Sequence, residues 1–162
     1  MESEPLEHVI EQRFRVLSIL CGSLLGSLAV YVGIAWFLLR QGAITSALAA
    51  DLPAALPVVL TGVAITVLVS AEAMSRRIFA QASQSAAASE PETLLNAYQS
   101  ATIVGFAMRE SAAMIGLALT LLTAAFFWVV ALSAASAAAM LVAWPRKETV
   151  RQLAQGDHAP VS

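Results

Sequence analysis

From Ser111 to Trp144 the chain runs for 34 residues without a charged side chain. As one helix this stretch measures about 51 Å at 1.5 Å per residue, far beyond the roughly 30 Å of a bilayer's hydrocarbon core. It must either tilt steeply as a single helix or fold back on itself. A fold-back makes Phe126 to Trp144 one span and Thr123 to Ala125 the turn. The partner span then reaches back from Leu122 by about 20 residues, to Ile103. Because the turn carries no Gly, Pro or Asn, a single long helix, giving three spans in all, stays open as the alternative. The remainder of the chain is similar in character. Apolar residues make up 59% and charged residues 12%, against roughly 45–50% and 25% in soluble domains. This excludes an ordinary soluble fold and predicts an all-α integral membrane protein.

Two further apolar blocks complete the architecture, with spans expected at 16–39, 56–71, 103–122 and 126–144. These form four transmembrane helices in two hairpins. Residues 1–15 read as an N-terminal amphipathic segment and 146–162 as a polar tail, flanking a transmembrane domain over 16–145. Glu2, Glu4, Glu7 and Glu11 at the start are the opposite of a basic secretory leader, so the first span is expected to be retained. Gly42 to Ala55 reads as a loop or short interfacial helix, and Ser89 with Glu92 as a capping box. Four spans collect Arg13, Arg15, Arg76, Arg77, Arg146, Lys147 and Arg151 on one side and leave only Arg40 on the other. The positive-inside rule then places both termini in the cytoplasm. Trp36 and Trp128 mark the outer aromatic belt, Tyr98 and Trp144 the inner one.

A shift of 83 residues aligns Gly22, Ala29, Gly33, Ala35, Leu38 and Leu39 with Gly105, Ala112, Gly116, Ala118, Leu121 and Leu122. The first and third spans therefore look like a tandem repeat, although Ala/Gly/Leu-rich sequences also match themselves by chance. Gly22, Gly26, Ala29 and Gly33 line one helix face and are expected to form a close packing seam, with Leu28 lying off it. In the third span the same stripe reads Gly105, Arg109, Ala112 and Gly116. Ala131, Ala135 and Ala139, with Ser133 and Ser136 beside them, form a similar small-residue face on the fourth.

Arg109 and Glu110 fall inside the third span, where a central charge costs roughly 2.5–3.5 kcal/mol on insertion scales. Their depths from the outer boundary come to about 19.5 Å and 18 Å, and that of Glu72 on the second span to about 24 Å. Glu72 and Arg109 are thus expected to form an intramembrane ion pair. Neighbouring helical positions point about 100° apart, so Glu110 serves another partner; the alternative is that Arg109 snorkels to the headgroups and Glu110 is protonated or hydrogen-bonded to Ser111 and nearby backbone.

Enzymatic chemistry finds no support. His8 and His158 lie in polar tails, and Ser27, Ser70 and Ser111 have no histidine base at membrane depth. No phosphate loop or metal-ligand spacing occurs, Cys21 is the single cysteine, and the net charge of −2 offers no footprint for nucleic acid. No catalytic residue, cofactor or metal is expected.

The stretch Gly105-Phe106-Ala107-Met108-Arg109-Glu110-Ser111-Ala112-Ala113-Met114-Ile115-Gly116-Leu117 resembles the ion-binding helix of the proteolipid c subunits of rotary ATPases. The likeness lies in a membrane carboxylate followed by a hydroxyl residue and, six positions on, by Gly and a Leu-rich run. It implies Glu110 as an ion-binding carboxylate with Ser111 as a supporting ligand; Arg109 departs from that pattern. The chain also resembles small uncharacterised bacterial four-span membrane proteins, in which a similar third helix precedes a Pro-Arg tail, here Pro145-Arg146-Lys147. The leading expectation is a non-enzymatic accessory or scaffold subunit that works by helix packing, with the lipid bilayer and other membrane subunits or itself as partners. A proton- or sodium-translocating oligomer is the alternative.

Overall fold

The computed structural model describes residues 3–42, 53, 55–84 and 91–154. Among them all regular secondary structure is helical: α1 Ser3–Arg40, α2 Ala55–Gln84, α3 Pro91–Thr123, α4 Phe127–Val142 and α5 Lys147–Ala154. The expected cap Ser89, most of the Gly42 to Ala55 loop and the end of the tail with His158 lie outside the described residues. Three helices are long and apolar enough to cross a membrane, over Glu11–Arg40, Ala55–Gln81 and Thr93–Thr123. At 16 residues, α4 is a shorter apolar helix.

The uncharged run folds back rather than continuing. α3 ends at Thr123 and α4 begins at Phe127, and the reversal turns on Ala124 with φ +56°. A left-handed residue after a helix is usually Gly, and for Ala it costs roughly 1–2 kcal/mol. Compensation comes from Thr120, whose buried Oγ1 accepts the Val129 backbone N–H at 3.0 Å. This replaces the side-chain cap that Phe126 does not supply. α3 and α4 then run antiparallel with Leu132 against Gly116, and with Met140 and Trp144 against Phe106.

α3 is the hub of the bundle, touching every other helix, and it lies parallel to α1. Residues 83 apart stand level: the Arg13 guanidinium donates to Asn96 at 2.9 Å, and Ser27 donates to Glu110 at 2.6 Å. Beyond α4 the chain returns to the end where α1 and α3 begin. There Val150 of α5 packs with Leu95, Phe14, Phe79 and Tyr98. The seven basic residues expected on one side gather at this end, and at the other the Arg40 guanidinium lies 4.3 Å over the Trp36 ring. Tyr98 and Trp144 serve the packing, edge-on to Phe79 and Phe106 respectively.

Two expectations are corrected by this arrangement. α1 and α2 do not form a packed hairpin, since no contact joins them among the described residues and α3 stands between. The connection over 41–54 can span up to about 46 Å extended, ample to pass a helix at the usual interaxial spacing of 8–10 Å. The helices also outrun the expected spans. α1 continues through the N-terminal segment, α2 runs on to Gln84, and α3 starts at Pro91, with Pro in the first position where its missing N–H costs no bond.

Candidate functional site

The two charges at mid-helix on α3 are served from opposite sides. Arg109 faces α2, where its Nη2 donates to Glu72 Oε2 at 3.0 Å. Glu72 Oε1 accepts from Arg76 Nε, also at 3.0 Å, one turn along the same helix. The Arg109 side chain is 6% exposed and that of Glu72 is 51% exposed. The ion pair therefore reaches from the α2–α3 seam to the bundle surface, where Arg76 shares the carboxylate. Phe106 lies 5.9 Å from the guanidinium carbon. Gly105 makes the site possible: a β carbon there would collide with Ser75 Oγ and sit 3.0 Å from Arg109 Nη1. Ser75 itself spans the seam, with its hydroxyl 3.0 Å from the Ala101 carbonyl and equally close to that of Ala71.

Glu110 faces α1. Its Oε1 accepts from the Ser27 hydroxyl at 2.6 Å and from the Tyr31 hydroxyl at 2.7 Å. Ser27 Oγ is also 2.7 Å from the Leu24 carbonyl, so its one hydrogen is contested between a carbonyl and a carboxyl. Ser111 is absent from this cluster, contrary to the role that the c-subunit likeness implied for it. It is exposed and donates to Ala107 O at 2.9 Å, because the 100° step that separates Glu110 from Arg109 also turns Ser111 away. Ser27 and Tyr31 are partners that depth and charge along the chain do not single out. The 83-residue shift holds the missing signal, since it sets Ser27 level with Glu110 and Tyr31 one turn beyond.

The small-residue faces divide sharply. Gly105, Ala112 and Gly116 are buried, and a β carbon on Gly116 would come within 2.9 Å of Leu132 Cβ and 3.0 Å of Trp128 O. Around Gly22, Gly26 and Gly33 an added β carbon would meet nothing within 4 Å, and Ala29 is exposed. Among the described residues the α1 stripe is thus no seam, and Leu28, expected to lie off the packing, is buried in the core beside Leu17, Cys21 and Phe106. On α4 the expected Ala131, Ala135 and Ala139 face is likewise not the packed one. Ala135 is exposed, and the buried residues are Val129, Leu132, Ser133, Ser136 and Met140. One small-residue face suffices for a close approach, and α3 provides it, so α4 packs through Val129, Leu132 and Met140 together with Ser133 and Ser136, the two serines expected beside its alanines.

Chemically, the arrangement offers an electrostatic clamp between α2 and α3 and a hydrogen-bonded carboxyl between α1 and α3. No family model matches the chain, and neither a curated relative nor a solved structure comes up as similar to it.

Proposed function

We propose that this chain is a non-enzymatic bacterial inner-membrane protein with four spans and cytoplasmic termini, acting by helix packing as an accessory or scaffold subunit of a larger assembly. The observation that carries the reading is the uncovered Gly22, Gly26, Ala29 and Gly33 face of α1. In lipid, a small-residue face gains association energy from a second backbone that can approach it closely, and none of this chain's own described helices does so. Affinity purification in mild detergent with mass spectrometry of co-purifying subunits is the test. The parent should retain a partner, or a second copy, that Gly26→Ile loses while its monomer still folds. A parent that purifies alone and monomeric counts against the proposal. Orientation is checked separately by cysteine accessibility in a Cys21→Ser background. Labelling of Ala159→Cys from outside intact cells would remove the fourth crossing.

A second reading, ion translocation by a proteolipid-like oligomer, draws on Glu110, whose Oε1 holds two hydroxyl donors at mid-helix. Carbodiimide labelling of Glu110 that is slowed by sodium or by raised pH favours it, and absence of labelling favours a structural carboxyl.

A further inference from the structure

At the basic end of the bundle a cavity of about 400 Å³ opens between α1 and the start of α5, lined by Glu11, Phe14, Arg15, Ser18, Ile19 and Lys147. The α1 residues fall at the i, i+3, i+4, i+7 and i+8 positions of one helix face, and Lys147 closes the cavity as the first residue of α5. Neither Arg15 nor Lys147 makes an ion pair among the described residues, whereas Arg13 is engaged by Asn96 and Gln99. Ser18 adds a buried hydroxyl without a hydrogen-bond partner. Ser133 and Ser136 on α4 share this state, whereas Thr61, Thr66, Ser75, Thr102, Ser111 and Thr123 all donate to the carbonyl one turn back. Of the three hydroxyls without a partner among the described residues, Ser18 lines this cavity. Above the cavity the exposed Val16, Ile19 and Leu20 continue as an apolar track along α1.

We infer that this cavity binds the phosphodiester headgroup of an anionic glycerophospholipid, with an acyl chain lying along Val16, Ile19 and Leu20. The inference rests on the membrane placement proposed above, but not on any protein partner. Two unpaired cations facing a cavity at a helix boundary are what an inner-leaflet phosphate requires, and a hydroxyl without a partner lies beside them. The acid limits the charge of the guest. With Glu11 against Arg15 and Lys147 the lining carries a formal +1, which balances a singly charged phosphodiester better than a doubly charged phosphomonoester. The apolar track argues for a lipid rather than a free anion.

The test is native mass spectrometry of the full chain in detergent, titrated with dioleoylphosphatidylglycerol, dioleoylglycerol or inorganic phosphate. Basic contacts at a headgroup surface contribute about fivefold each. The Arg15→Gln/Lys147→Gln double variant should therefore hold phosphatidylglycerol about twenty-five-fold less tightly. Lys147→Arg should bind like the parent, as should Arg40→Gln at the opposite end. Both substituted side chains are exposed, and each single variant, expected at about a fivefold loss, provides an independent reading if the double variant unfolds. The proposal is overturned if phosphatidylglycerol binds the variants and the parent alike, or if dioleoylglycerol binds as well as the phospholipid. Millimolar phosphate displacing the lipid through the same two residues would also overturn it, by making this a free-anion site. Loss of lipid binding with the protein partner still attached, or the reverse, separates this proposal from the scaffold reading.

Discussion

The stripes Gly22, Gly26, Ala29, Gly33 on α1 and Gly105, Arg109, Ala112, Gly116 on α3 share one spacing and lie level in parallel helices, yet their surroundings are opposite. On α3, Ser75 and Arg109 crowd Gly105, while Leu132 and Trp128 crowd Gly116. On α1 the three glycines meet no neighbour among the described residues. The side of α1 that does pack carries Leu17, Cys21, Leu28 and Ala35. Leu17 and Leu28 stand about 180° and 200° around the helix from Gly26. Small-residue spacing thus marks where a helix can be approached, but a neighbour with matching volume decides whether it is. α1 is two-faced, with one side built into the bundle and the other open, and α3 is enclosed from three directions.

Four measurements break or sharpen that contrast, all by thermal unfolding of detergent-solubilised protein. Leu28→Ala removes a buried side chain from the packed face of α1 and should cost about 2–5 kcal/mol; a loss no larger than at an exposed site would mean that α1 does not pack through this face. Gly116→Ile drives a branched side chain into Leu132 and the Trp128 carbonyl, with an expected loss of about 1–3 kcal/mol or more. Unchanged stability would erase the distinction between the stripes. For the charged member of the α3 stripe, a double-mutant cycle of Glu72→Gln and Arg109→Gln should give a coupling between the roughly 0–1 kcal/mol of an exposed pair and the about 3–5 kcal/mol of a broken buried one. It lies between because Arg109 is buried and Glu72 half exposed. Strictly additive losses would show that the two do not interact. Smallest of all is Gly26→Ile, which should leave the melting of the monomer within about 0.5 kcal/mol of the parent. A large loss there would place an unseen neighbour on the α1 stripe within the chain itself.

The features legible in the chain alone are of one kind. A charge-free run too long for one crossing implies a reversal near Thr123 to Ala125, and α3 does end at Thr123. Depth along two antiparallel helices puts Glu72 within reach of Arg109, and the two stand 3.0 Å apart. Ser27 and Tyr31 are harder to find, because only the 83-residue shift sets Ser27 level with Glu110 and Tyr31 one turn beyond, and a hydroxyl on an apolar helix does not itself say which way it bonds. It can bond its own helix, as Ser111 does with Ala107, or reach across, as Ser27 does to Glu110. The left-handed Ala124 and its support from Thr120 are equally hidden, since that hydrogen bond joins residues nine apart across a reversal.

The sequence by itself determined helix content, the approximate ends of the apolar segments, the position of the reversal and the gathering of basic residues at one end. These follow from sums along the chain: hydropathy over a window, rise per residue and charge in flanking segments. Tertiary structure alone decided that α3 separates α1 from α2 and that the α1 stripe stays open. It also decided that α4 packs through Leu132 and Met140 rather than through its alanines, and that Glu110 turns to α1. Those outcomes depend on which surfaces fit one another in space, and faces rich in Ala, Gly and Leu are nearly equivalent until a particular neighbour fills one and leaves another bare.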